Sequence, residues 1–243
     1  MGELPASGAL SGRLALVTGS SRGIGAATAR ALAGAGAHVI VSGRTVPDLE
    51  RVEEAIHQAG GSATIVPLDL AEGDSIARLA AAVAERWGKL DVLVLNAAML
   101  PPLSPVSQIE PQAFSEALTL NVLATQALLA AFDPLLKRSE AGRVIGITSS
   151  VGAAPRAYWG AYGASKAAFD TLLDAYAQEV ERISATRVAV LDPGATRTAM
   201  RARAYPGEDP QTLKAPEAVA DRIVALLAAD FPTRHRERVE EAG

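Results

Sequence analysis

Short apolar runs recur along this chain at helix-length intervals, and most of them lead into polar residues or glycines. Leu14–Thr18, His38–Ser42, Thr64–Pro67, Asp91–Asn96, Arg143–Thr148 and Arg187–Leu191 are of this kind. They are too short for helices and read as strands of a parallel sheet, which are apolar throughout because both faces are covered. Between them lie helical segments: about Ala26–Ala35, Asp48–Ala59 closed by Gly60-Gly61, Asp74–Trp87 stopped by Gly88, Pro111–Leu136, and a run opening at Tyr162. Strand alternating with helix predicts a doubly wound, mostly parallel α/β sheet with helices on both faces. The polar outliers Asn96, Ser149-Ser150 and Asp192-Pro193-Gly194 all follow strand ends. Sheets of this class bind ligands beyond those C-terminal ends.

With 243 residues, 49% of them hydrophobic, the chain can bury one large core. The Pro-rich patch Pro101–Pro105 is too short for an interdomain linker. The expectation is one domain over residues 13–243, a flexible tail over 1–12 and a lid near 200–212. A net charge of −4 and 4% aromatics speak against nucleic-acid binding. The chain has no cysteine, and its histidines at 38, 57 and 235 lack ligand spacing, so no metal is expected. No uninterrupted apolar run reaches the ~18 residues of a membrane span, and the first residues lack the basic and apolar regions of a signal peptide. A cytoplasmic protein is expected.

Gly19-Ser20-Ser21-Arg22-Gly23-Ile24-Gly25 joins the first strand to an Ala-rich helix. Such a turn lets backbone N–H groups approach a phosphate, and the helix N-terminus adds its positive dipole end. The spacing is G-x-x-x-G-x-G, not the G-x-G-x-x-G of the usual dinucleotide fingerprint. At the second strand tip, where NAD-binding units place an acid for the ribose 2′-OH, the chain reads Gly43-Arg44-Thr45. No acid appears before Asp48. Arg44 and Arg22 could together hold a 2′-phosphate, which points to NADP(H).

Tyr162 and Lys166 stand four apart, one above the other on a helix face. An ammonium there favours phenolate and lowers the tyrosine pKa, making the hydroxyl a usable acid or base. Asn121 falls in mid-helix, where propensity disfavours it, so it is either exposed or used.

These motifs in this order resemble the short-chain dehydrogenase/reductase family, over about Gly12–Thr198, in its Rossmann-like single-domain branch close to 3-oxoacyl-carrier-protein reductases. Thr18–Gly25 matches the family's cofactor turn, with Gly19, Ser21, Arg22, Gly23, Ile24 and Gly25 as cofactor residues. Asp69, with Leu70 beside it, matches the adenine-binding aspartate. Asn96-Ala97-Ala98 matches the Asn-Asn-Ala-Gly stretch imperfectly, with Leu95 for the first Asn and Ala98 for the Gly. Pro193, Gly194, Thr196 and Thr198 fall in the segment cradling the nicotinamide, although Asp192 stands where Asn is commoner. The resemblance makes Asn121, Ser149, Tyr162 and Lys166 a catalytic tetrad. It implies that Tyr162 moves the hydroxyl proton, Ser149 bonds the substrate oxygen, Lys166 lowers the tyrosine pKa and holds the ribose, and Asn121 supports a proton-relaying water.

The implied activity is NADP(H)-dependent reduction of a small-molecule carbonyl (ketone or 3-oxoacyl type), or the reverse alcohol oxidation. A non-catalytic NADP(H)-sensing regulator is the alternative, but it has no need of the tetrad. Met99, Leu100, Ala153, Tyr158 and the segment Met200–Thr212 are candidate pocket residues, mostly apolar. A homodimer through the faces of Pro111–Leu136 and Tyr158–Arg182 is expected, with a homotetramer as runner-up. The segment Phe231–Glu241 reads at best as one short, polar edge strand.

Overall fold

The computed structural model describes residues 8–240. Seven strands form one sheet: β1 Leu14–Thr18, β2 His38–Gly43, β3 Ser62–Pro67, β4 Val92–Leu95, β5 Arg143–Ile147, β6 Arg187–Asp192 and β7 His235–Arg238. Their order is β3-β2-β1-β4-β5-β6-β7, every neighbouring pair is parallel, and β1 and β4 meet where the winding reverses. The helices are α1 Gly23–Gly34, α2 Val46–Gln58, α3 Ser75–Trp87, α4 Pro111–Leu118, α5 Ala124–Lys137, α6 Ser150–Ala153, α7 Gly160–Val180, α8 Ala199–Ala204 and α9 Pro216–Ala228.

The central strands are apolar throughout because alternate side chains enter different cores. Ala15, Val17, Val39, Val41, Val92 and Val94 join the core built with α1, α2 and α9. Leu14, Leu16, Ile40, Leu93, Leu95 and Val144 pack on the other face, against α3, α5 and α7. Gly88 ends α3 in the left-handed conformation at φ 76°, the usual glycine stop.

Two local expectations change. The segment read as one helix over Pro111–Leu136 is interrupted by a π-helical turn, Thr119–Leu123, between α4 and α5. One inserted residue rotates the chain locally and buries Asn121 at 1% exposure. The tail expected to be loose is docked over its described part: Leu10 is fully buried, and its N–H donates to the Ala35 carbonyl at 2.9 Å. Residues 1–7 lie outside the described residues. At the other end the short, polar edge strand read in Phe231–Glu241 forms as β7, between buried Phe231 and Val239. Its charges find partners within the chain. Glu237 accepts a fork of two bonds from Arg222 at 2.6 and 2.7 Å, and Arg236 reaches Asp170 and Asp174 at 3.0 and 3.1 Å. Residues 241–243 lie outside the described residues.

Two glycines of α1 predict opposite stability effects. A Cβ on Gly25 would lie 2.3 Å from the Gly19 carbonyl oxygen and 2.5 Å from Asn96 Nδ2, a clash with backbone that no rotamer relieves. A Cβ on Gly34 meets nothing within 4 Å. Gly25→Ala should therefore cost at least ~2 kcal/mol through forced backbone movement, while Gly34→Ala should add ~0.5–1 kcal/mol by restricting the unfolded chain. Urea unfolding of the two variants should show midpoints displaced in opposite directions.

Candidate active site

The glycine-rich turn is held to the end of β4 by one asparagine. Asn96 Nδ2 donates to the carbonyls of Thr18 and Gly19 at 2.9 and 3.1 Å, while the backbone N–H groups of Asn96 and Ala97 donate to Thr18 Oγ1. Thr18 Oγ1 in turn donates to the Val94 carbonyl. Gly19 has φ 64°, and a Cβ on it would stand 2.9 Å from Ala97 Cα. The turn can approach this closely only as glycine.

Across the crevice, the segment after β6 faces the same turn. A Cβ on Gly23 would meet the Thr198 methyl at 3.5 Å. Asp192 accepts from the N–H of Gly194 at 2.9 Å, and Thr196 Oγ1 donates to the Pro193 carbonyl. An aspartate thus closes this turn where asparagine is commoner. Thr198 caps α8 by accepting from the Arg201 N–H.

Beside β2, a cleft of about 650 Å³ is lined by Arg44, Leu68, Asp69 and Arg78 among others. Asp69 accepts from the Ala71 N–H, and Arg44 approaches its carboxylate only to 4.0 Å. Leu68 and Leu70 both pack against the α3-side core, and Leu68 also lines the cleft. Arg22 sits in extended backbone at the start of α1 and forms no ion pair among the described residues. A second hollow of about 260 Å³ lies against Ser21, Arg22 and Gly23. Two guanidinium groups uncommitted to close carboxylates, beside a glycine turn, fit a phosphate-bearing dinucleotide.

Ser149, Tyr162 and Lys166 lie in the segments that follow β5. Ser149 follows β5 and precedes α6. Tyr162 and Lys166 lie one turn apart on α7, 7% and 3% exposed. Lys166 Nζ donates to the Ile147 carbonyl at 2.7 Å and stands 5.9 Å from the centre of the Tyr162 ring. The Tyr162 hydroxyl is covered by α8, with Met200 Sδ at 3.9 Å. Leu100, Val151, Met200 and Ala204 complete an apolar lining around it, and Trp159 meets the ring edge-on with centroids 6.0 Å apart. Among the pocket candidates Leu100 and Met200 are thus in the wall. Ala153 and Tyr158 are exposed, and Tyr158 takes a left-handed φ of 71° on the rim.

Electrostatics here run against the expectation that lysine lowers the tyrosine pKa. Burial, then the Asp192 carboxylate, push the Tyr162 hydroxyl above its ordinary range. Burial also pulls Lys166 down to about 8, opposed by Asp170. Both groups are dehydrated, and desolvation outweighs their mutual effect. Tyr162 therefore stays protonated at neutral pH, in the form that can give a proton.

Asn121 acts as a brace. Its Oδ1 accepts from the Met99 N–H at 2.8 Å, and its Nδ2 donates to the Met99 carbonyl and to Ser165 Oγ at 3.0 and 2.9 Å. Ser165 Oγ donates to the Tyr162 carbonyl at 2.8 Å. Both amide hydrogens are thus committed to tying the loop after β4 to α7. Supporting a water toward Lys166 would fall to the Asn121 main-chain carbonyl, which already accepts from Thr125 Oγ1. Ser165 was not legible as a site residue, because nothing local distinguishes a buried helix serine, whereas Met200 opens the segment expected to line the pocket.

The depressed Lys166 gives a pH prediction with a definite sign. Between about pH 8 and 10.5 the unfolded chain holds a proton on this lysine that the folded chain has released. Stability contributed by this site should therefore rise with pH across that window and be lowest below it. Lys166→Met should stabilise the protein at pH 7 by ~1–3 kcal/mol, with the gain shrinking toward pH 10.5. Denaturant titrations of both proteins at pH 7, 9 and 10.5 measure this, and an equal gain at all three would contradict it.

Comparison with known proteins agrees with this geometry. The sequence profile of the short chain dehydrogenase family matches residues 13–209. The uncharacterized oxidoreductase YciK of Escherichia coli K12 is 38% identical over 224 residues, covering 91% of this chain and 88% of YciK. A yciK structure superposes with a TM-score of 0.94 at 37% identity, covering 99% of this chain and 100% of that one. A protein of Escherichia coli CFT073, assigned as a short chain dehydrogenase and solved with NADPH, superposes with a TM-score of 0.91 at 37% identity, covering 97% and 100%. With a family profile over residues 13–209 and a relative 38% identical across most of both chains, this chain belongs to the short-chain dehydrogenase/reductase family of oxidoreductases.

Proposed function

We propose that this chain is an NADP(H)-dependent reductase that converts a ketone or 3-oxoacyl carbonyl to an alcohol, or runs the reverse oxidation. The observation that carries this reading is the buried pair on α7: a protonated Tyr162 with Lys166 one turn on, its ammonium bonded to the end of β5. Binding of NADPH by a neighbour of the same fold supports the cofactor choice. So does the absence of an acid from Gly43 to Thr45.

The turn Gly19–Gly25 would hold the pyrophosphate, Arg22 and Arg44 the 2′-phosphate, and Asp69 the adenine. Asn96, Ala97, Ala98, Pro193, Gly194, Thr196 and Thr198 would line the nicotinamide half. When bound, the dinucleotide supplies the hydride. Tyr162 gives its proton to the carbonyl oxygen, and Ser149 donates a hydrogen bond to that same oxygen. Lys166, on the adjacent turn, holds the ribose hydroxyls and gains there polar partners beyond the Ile147 carbonyl. The apolar wall of Leu100, Val151 and Met200 excludes water and accepts a hydrophobic substrate. A non-catalytic sensor would have no use for a lysine buried at this energetic cost, which disfavours the regulator reading.

Steady-state kinetics test the assignment. Tyr162→Phe should cut kcat by ~10²–10⁴-fold, the loss typical of a removed proton donor, with NADPH affinity nearly unchanged. In the same assays Arg44→Ala should weaken NADPH by about one to two decades, as expected for a charge-assisted contact, and leave NADH untouched. Unaltered turnover in Tyr162→Phe would remove the mechanism, and equal wild-type affinity for the two cofactors would remove the NADP(H) assignment.

Assembly is proposed on the same footing. Leu123, on the π-turn between α4 and α5, is 61% exposed, although most of its large apolar neighbours in α5 are buried. A dimer burying that face and the outer face of α7 is the expected state. Light scattering behind size exclusion should give twice the chain mass, and Leu123→Glu should shift it toward monomer; a wild-type monomer would overturn this.

A further inference from the structure

The apolar Tyr162 pocket is rimmed by arginines without acidic partners. On one side Arg203, near the end of α8, donates from Nη2 to the Leu100 carbonyl at 2.6 Å. On the other, Arg156 donates from Nη2 to Ser150 Oγ at 3.2 Å. Leu100 belongs to the wall around Tyr162, and Ser150 directly precedes Val151 of the same wall. The two rims also meet directly, since the Ser104 N–H donates to the Tyr158 carbonyl at 3.1 Å. Both guanidiniums are exposed and therefore reachable from solvent.

Their lack of acidic partners, which Arg22 shares, contrasts with the paired arginines of this chain. Arg201, two residues before Arg203, is forked onto Glu208 at 2.6 and 2.5 Å and covers the Tyr205 ring. Arg222 and Arg236 are likewise paired. Arg156 and Arg203 form no ion pair among the described residues. The segments that make the pocket mouth (residues 97–109, 149–162 and 196–208) hold four arginines and one carboxylate, Glu208, in a chain of net charge −4. Glu208 is already engaged by Arg201. Asp192, Glu110 and Asp209 border these segments, but two guanidiniums outside any ion pair still attract anions to an apolar opening. Each guanidinium keeps N–H donors beyond its single bond here, in a geometry suited to carboxylate or phosphate oxygens.

We infer that Arg156 and Arg203 form an anion subsite at the mouth of the Tyr162 pocket, so that the compound reduced is an apolar carbonyl compound ending in a carboxylate or a phosphate. This rests on the reductase reading for the chemistry, while the subsite itself is a binding property. In the reaction the carbonyl carbon takes a hydride from NADPH and its oxygen takes the Tyr162 proton, leaving an alcohol and NADP⁺. The anionic end is unchanged and serves to orient the carbonyl over Tyr162.

The test uses the full chain saturated with NADP⁺ for calorimetric binding and with NADPH for turnover. The probes are 4-acetylbenzoate, 4-acetylphenyl phosphate and the neutral methyl 4-acetylbenzoate. At least one anion should bind tenfold or more tightly than the ester, in line with a charge-assisted contact. That preference should weaken as salt rises from 0.05 to 0.5 M, as exposed charges require. It should fall about tenfold in Arg156→Gln and Arg203→Gln, chiefly through KM, and return largely in Arg156→Lys. Gln at 203 keeps a donor for the Leu100 carbonyl, so a loss there reports charge and not a loosened α8. Arg156→Glu should reverse the preference toward the ester. A stronger preference for the phosphate assigns a phosphorylated tail, and a stronger one for the benzoate a keto acid. Equal binding and turnover of ester and anions, or binding of none, overturns the subsite; turnover of the ester would then leave the reductase reading standing. Preferential anion binding without turnover of any probe upholds the subsite and overturns the reductase reading.

Discussion

Asn96 joins two strand ends that the winding of the sheet brings side by side. Its amide donates to the carbonyls of Thr18 and Gly19, and its backbone N–H is received by the Thr18 hydroxyl. Those carbonyls lie where β1 ends and the glycine turn begins, beyond the reach of the sheet ladder, and a buried carbonyl left unpaired is costly. The bonds close the bottom of the crevice and set the direction in which α1 leaves the sheet. Gly19 and Gly25 are required by the same closeness, since a side chain at either would meet backbone. The cofactor turn, the end of β4 and the start of the loop carrying Met99 and Leu100 are thus one rigid piece.

A second brace fixes the other half of the site. The π-turn that buries Asn121 lets one side chain hold the Met99 peptide on both its N–H and its carbonyl and reach Ser165 on α7. Through Ser165 it touches the carbonyl of Tyr162. Distortion of a helix is unfavourable locally, and here it is offset by satisfying polar groups that would otherwise be buried without partners. Asn121 therefore governs where Tyr162 stands relative to the cofactor crevice without needing to touch the reacting atoms.

The site also carries groups that the fold alone would not choose. Lys166 is almost fully buried and pulled down to about 8, and Tyr162 is pushed the other way. Strain of this kind is typical of functional sites, where stability is given up for chemistry. The same region concentrates the arginines of the mouth, while the acids of the chain lie mostly elsewhere.

Most of the architecture was legible because parallel strands covered on both faces need apolar residues at every position, and glycines and polar residues mark where each ends. The glycine turn after β1 and the placing of Tyr162 and Lys166 one turn apart were legible for a related reason: their spacing is set by local geometry, a turn or a helix face, that short sequence intervals encode. What the sequence by itself determined stops there. The π-turn at Asn121, the docking of Leu10 beneath the end of α1, the pairing of the β7 charges with α7 and α9, and the cover that Met200 places on Tyr162 join residues far apart in sequence. The direction of the Tyr162 shift belongs with them, because a pKa follows from burial and from every charge nearby, Asp192 included, and only the folded chain decides those.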